Sequence, residues 1–296
     1  MFSLIKKISK IIKPWGFKGL SSYDVAIFFW KGLMEGSITT RASSLAFNFF
    51  LAFFPAIIFL FTLIPYIPIA GFQKTLMQLL ENILPPSTNE IATPIIHDII
   101  DNPRGGLLSV GFILSLYFAT NGVNSLIEAF NSSFHIRESR SLLFQRYISL
   151  VITLTLTIML ILTIVILIVG EGYFNSLVTN EVISSDKLYL FSLARFGLLS
   201  LMLYFGITLV FYLSPSKRTK WKWFSPGTIF SSVFIIITSL LFSFYINNFS
   251  QYNQIYGSIG TLIIILLWIY FNAIILLTGF ELNASILNAS SNKEKV

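Results

Sequence analysis

Six stretches of the chain are apolar for long enough to cross a hydrocarbon core of about 30 Å, which takes about 20 residues of helix. Five of them, at 42–64, 105–127, 147–169, 225–247 and 258–280, contain no Asp, Glu, Lys or Arg. The sixth, 188–213, is interrupted only by Arg195, and 196–213 is again uncharged. That span survives if the arginine stem lies along apolar surface while its guanidinium reaches for the near interface. The pattern predicts an all-α polytopic membrane protein whose 41–283 region forms six transmembrane helices.

The flanking segments follow other patterns. Phe2, Leu4, Ile5, Ile8, Ile11 and Ile12 interleave with Lys6, Lys7, Lys10 and Lys13, so 1–40 opens with a basic amphipathic helix on the membrane surface and not with a secretory signal. Pro14 and Gly16 end it, and a second amphipathic stretch over 23–35 leads into the first span. The 65–104 segment is too long for a mere turn. Phe72, Leu76, Leu79, Leu80 and Ile83 keep helical spacing, and so do Ile91, Ile95 and Ile99. Ser87 with Glu90 has capping-box spacing, although Thr93 and Pro94 would equally open that second helix. Short helices are expected there, held against the outer surface as a lid. Residues 284–296 are expected to form a tail.

Charge orients the spans. Segments 1–41, 128–146, 214–224 and the part after 281 must share a side, and they carry sixteen Lys and Arg. The opposite loops carry only Lys74, Arg104 and Lys187, against seven acids. The excess of basic residues places both termini in the cytoplasm. Composition agrees: of 296 residues 55% are hydrophobic and 11% charged, where soluble domains carry about 25% charged residues. The net charge of +7 therefore reports topology and asks for no nucleic acid. Trp221 and Trp223 between Lys220 and Lys222 suit an anchor at the inner interface.

Polar residues inside the spans are the candidate chemistry, because lipid makes them expensive. Arg41, Ser44, Asn48 and Pro55 share one face of the first span, where Pro55 should also kink the helix. Asn121, Asn124, Glu128 and Asn131 share a face at the inner end of the second. Asn272, Gly279 and Asn283 do so on the sixth, with Glu281 beside them. Two readings are open. In one the amides are interhelical glue and Arg41 makes an ordinary ion pair with Glu128 or Glu281. In the other Asn48, Asn121 and Asn272 line a solvated cavity between the first, second and sixth spans, open toward the cytoplasm, since each amide offers more hydrogen-bonding sites than neighbouring helices usually fill. Thr153, Thr155, Thr157 and Thr163 are expected to bond carbonyls of their own helix. Trp268 lies too deep for the interfacial belt and is expected to pack in the bundle or line its cavity.

Enzyme chemistry finds little to work with. The chain has no Cys, and its two His, His97 and His135, fall on opposite sides of the membrane in this topology. No Ser-His-Asp, Walker A or dinucleotide-binding pattern occurs. The expectation is a protein that is not an enzyme and carries no cofactor or metal.

Arg41-Ala42-Ser43-Ser44-Leu45-Ala46-Phe47 with Phe53-Phe54-Pro55 resembles the opening motif of the YihY/BrkB family of bacterial inner-membrane proteins. Tyr256-Gly257-Ser258-Ile259-Gly260, Leu266-Leu267-Trp268-Ile269-Tyr270 and Gly279-Phe280-Glu281-Leu282-Asn283-Ala284 resemble its C-terminal signature in order and spacing. The stretch from Asn121 to Arg146 is a looser match. The resemblance spans about residues 25 to 290 and implies a multi-pass inner-membrane protein. Some relatives were once labelled ribonuclease BN, which the scarcity of metal ligands here argues against.

The functional expectation is a transporter or a lipid- or amphiphile-handling protein. Its partners would be membrane lipids, and its substrate path would run through Arg41, Ser44, Asn48, Pro55, Asn121, Asn124, Glu128, Asn272, Glu281 and Asn283. With no nucleotide motif, movement would be passive or ion-driven, and Glu128 and Glu281 are the candidate proton-linked carboxylates. The alternative is a structural or regulatory membrane protein that binds a partner. Oligomeric state is not legible in the sequence.

Overall fold

The structure, a computed structural model, describes residues 21–35, 37–66, 98, 105–133, 139–179, 188–216, 224–248 and 258–293. Among these, the chain forms seven α-helices: α1 (Ser22–Glu35), α2 (Ile38–Leu63), α3 (Gly105–Asn131), α4 (Leu142–Thr179), α5 (Leu188–Leu213), α6 (Pro226–Asn248) and α7 (Ser258–Lys293). A 3-10 turn over Ile64–Tyr66 follows α2. Helices α2 to α7 are each long and apolar enough to cross a membrane. The amphipathic 1–13 segment, His97, His135 and all of the 65–104 loop except 65, 66 and 98 lie outside the described residues.

Local chemistry explains the ends. Ser225 precedes Pro226, and its Oγ accepts a hydrogen bond from the Thr228 amide at 3.2 Å, so a serine cap and a proline at the first helical position open α6. Ser141 opens α4 in the same way through the Phe144 amide at 3.4 Å. Ser37 takes a left-handed φ of 45° and its carbonyl accepts the Arg41 amide at 3.1 Å, turning the chain from α1 into α2. Pro55 sits inside the continuous α2. The hydroxyls of Thr153, Thr155, Thr157 and Thr163 each donate to the carbonyl four residues earlier, as expected.

Two helices outrun their apolar windows. Helix α4 covers Leu142–Thr179 against an expected 147–169, and α7 continues to Lys293 through most of the expected 284–296 tail. The physical reason in α7 is packing: Ile286 and Ala289 are buried with Val25 of α1 in a small second core, so the helix keeps an apolar stripe after leaving the span.

The six long helices form a ring. Each packs against its neighbour in sequence from α2 to α7, and α7 closes the ring on α2 while also carrying α1. Among the described residues the apolar core occupies one half of that ring. There, buried apolar side chains reach no further than Ala52 on α2 and Ile152 on α4, and begin only at Val123 on α3, Ile207 on α5 and Ala273 on α7. All of these lie toward the end that holds the start of α2, the end of α3 and the described Arg41, Arg140 and Arg146. Phe130 stacks on Phe280 at 4.1 Å between ring centroids, with Phe211 edge-on to both, and these rings fill that end.

Candidate functional site

The polar residues gather at the basic end. Arg41, in the first turn of α2, is 10% exposed, and Glu281 near the end of the α7 span is 0% exposed. Their side chains meet at 2.9 Å between Nη2 and Oε1. Arg41 also donates through Nη1 to the Ala129 carbonyl at 2.6 Å, and Ser133 Oγ donates to Glu281 Oε2 at 2.9 Å. One ion pair thus joins α2, the C-terminal end of α3 and α7, and it takes up an orphan carbonyl of the last turn of α3. Arg41 Nε is buried without a hydrogen-bond partner among the described residues. Of the two partners expected for Arg41, the structure selects Glu281.

Glu128 belongs to a different cluster. Its Oε1 accepts from Asn124 Nδ2 at 2.6 Å and from Gln145 Nε2 at 3.3 Å. Asn124 Oδ1 in turn accepts from Gln145 Nε2 at 3.0 Å and Ser149 Oγ at 3.2 Å. Asn124, Gln145 and Ser149 are buried between α3 and α4, while Glu128 is exposed. One turn deeper, Asn121 Oδ1 accepts from Nη1 of the exposed Arg146.

Other candidates act as caps. Asn131 Nδ2 donates to the Ser214 carbonyl at 3.3 Å and its Oδ1 accepts the Ser216 amide at 2.9 Å, tying the end of α3 to the end of α5. Arg140 Nη2 donates to the same Ser214 carbonyl at 2.6 Å. Asn283 Oδ1 accepts the Gly227 amide at 2.8 Å and its Nδ2 donates to Ser225 Oγ at 2.9 Å, closing the start of α6 against α7. Asn48 and Asn272 donate to their own helices, at the Ser44 and Trp268 carbonyls. Ser44 is exposed, and Asn272 Oδ1 is a buried acceptor without a hydrogen-bond partner among the described residues.

A cavity mouth at the basic end is not shown among the described residues. Asn48, Asn121 and Asn272 make no hydrogen bond to one another, and buried apolar side chains of the first, second and sixth spans pack together at that end with the stacked Phe130 and Phe280 rings. The apolar neighbours of the polar stripes, such as Ile127 and Leu277, are fully buried there.

Three contributors, Ser133, Gln145 and Gly227, are not marked by the polar stripes of the sequence. Ser133 and Gln145 lie off those stripes. Gly227 and Gly279 set the α6–α7 crossing: a Cβ on Gly227 would lie 2.0 Å from the Gly279 carbonyl oxygen. A small-residue spacing, Gly227 with Ser231, was the available signal. Among the described residues no group of three or more His, Cys, Asp and Glu is placed to hold a metal.

No solved structure matches the chain. It is 31% identical to the ribonuclease-like protein YfkH of Bacillus subtilis over 85% of this chain and 90% of that one. It is 26% identical to a UPF0761 membrane protein of Haemophilus influenzae over 90% of this chain and 96% of the relative. A UPF0761 membrane protein of Aggregatibacter aphrophilus is 27% identical, with 90% and 92% covered. The family model described as virulence factor BrkB matches residues 29–296. With that match, the relatives named as membrane proteins and the six apolar helices in hand, the chain belongs to the BrkB family and is a multi-pass bacterial membrane protein.

Proposed function

We propose that this protein handles a lipid or another amphiphile, admitting it to the interior of the helix ring from the end opposite Arg41 and Glu281, with the basic end facing the cytoplasm as the closed side. The observation that carries the reading is the one-sided core. Among the described residues of α2 to α5 and α7 the buried apolar side chains are confined to the basic half, and there the Arg41–Glu281 pair adds a charged tie across three helices. An ion pair kept this deep is costly to desolvate, and replacing it with apolar groups is often neutral or stabilising. Its burial in the spans favours a functional role, as for ionisable groups in membranes generally.

The test is lipid movement in vesicles. Purified protein is reconstituted with a headgroup-labelled phospholipid, and an impermeant quencher reports the lipid reaching the outer leaflet. The expected result is faster exposure than in protein-free vesicles, altered by Glu281→Gln. Equal rates with and without protein would overturn the reading.

A second reading, a scaffold that moves nothing, has its own support. Asn124, Asn131 and Asn283 spend their amides on contacts between helices, as glue would. Failure of the vesicle experiment together with intact folding favours it.

A further inference from the structure

We infer that the outer face of the α3–α4 seam, at its basic end, is a binding site for a zwitterionic phospholipid headgroup, with Arg146 receiving the phosphate and Glu128 the ammonium. The site deepens the lipid-handling reading and rests on it for its purpose, though its existence is tested separately.

Two opposite charges stand on this face without pairing to each other. Arg41 is paired with Glu281, while Arg146 and Glu128 are both exposed. Each is steadied by neutral amides. The Arg146 guanidinium is held by Asn121, and the Glu128 carboxylate is drawn back toward Asn124 and Gln145. Asn121 and Asn124 are one helical turn apart, about 4.5 Å of rise. The guanidinium is thereby fixed about a turn deeper in the membrane than the carboxylate.

That order matches a phosphoethanolamine headgroup, whose phosphate lies next to the glycerol and acyl chains and whose ammonium lies toward water, two carbons on. A guanidinium offers planar, charge-assisted donors to phosphate oxygens, and a carboxylate held by two amide donors keeps its other oxygen for an ammonium. The acyl chains also have a surface to lie on. Deeper in the membrane than Arg146, Tyr117 on α3 and Leu154 and Ile158 on α4 are 57%, 45% and 57% exposed. Arginine turned inward to Asn121, and not outward to the interface, is the reverse of snorkelling, and a phosphate drawn to this depth compensates its charge.

The experiment uses the full-length protein purified in detergent, and measures retention of phosphatidylethanolamine, phosphatidylglycerol and free phosphoethanolamine by native mass spectrometry. Wild type is expected to retain phosphatidylethanolamine about tenfold more strongly than phosphatidylglycerol. Arg146→Gln should weaken both lipids, whereas Glu128→Gln should abolish the preference and keep phosphatidylglycerol. Both residues are exposed, so an unchanged melting temperature in lipid-free detergent checks the fold of each variant. Retention of both lipids unchanged in the two variants would overturn the site, as would free phosphoethanolamine competing as well as the whole lipid. Selective retention lost in the variants, with no lipid movement in vesicles, would uphold the site and overturn the handling reading.

Discussion

At the residue scale, the chemistry concentrates in Arg41 and Glu281. Removing one member strands a buried charge, so Arg41→Ala or Glu281→Ala should each lose about 3 to 5 kcal/mol of stability. The Arg41→Met, Glu281→Met double variant should unfold later than either single one, because it leaves no charge unpaired. Unfolding in mixed detergent micelles, followed by circular dichroism, checks both statements, and a double variant weaker than both singles would count against a buried pair. Arg41 and both acids stood out in the sequence as charges on spans or at their ends, and their shared depth was legible from the span boundaries. The choice of Glu281 over Glu128 was not. Both acids sit at a similar depth, and the decision rests on how α2, α3 and α7 turn their faces toward one another.

At the element scale, contact between α6 and α7 depends on absent side chains. A Cβ on Gly279 would lie 2.0 Å from Ser231 Oγ and 2.6 Å from the Gly227 carbonyl oxygen, so the helices approach backbone to backbone. Gly279→Ala should force them apart and lower the melting temperature, by an overpacking loss of about 1 to 3 kcal/mol. Gly106→Ala, where a Cβ meets nothing within 4 Å, should leave it unchanged or raise it slightly. The same crossing is closed by Asn283. Asn283→Leu strands the Gly227 amide, with an expected loss of about 1 to 3 kcal/mol and faster amide exchange confined to the first turn of α6. Uniform exchange along α6 in that variant would refute the capping role. Helix existence was readable here from the apolar windows, and the α6 start from Ser225-Pro226. The extension of α7 to Lys293 was not, because it depends on a surface supplied by α1.

At the scale of the whole molecule, the excess of basic residues at one end predicts orientation. A cysteine placed at Ser216 should resist an impermeant thiol reagent added to intact cells, while one at Asn180 should react, once any outer membrane is permeabilised. Labelling in the opposite sense would invert the topology and, with it, the side from which a substrate enters the ring. The span count and the gathering of polar residues at one end follow from the sequence alone, because lipid acts on each segment through its own length and charge, whatever its neighbours are. The ring closure of α7 on α2, the one-sided core and the division of the polar residues into an ion pair, an α3–α4 cluster and helix caps were decided only in the tertiary structure. A membrane helix is apolar all round, and hydrocarbon is as favourable to Leu as a protein interior is. Hydrophobicity therefore says that a helix spans and leaves open which face it turns inward; small residues, amides and a buried charge pair settle that, and they do so only when the helices meet.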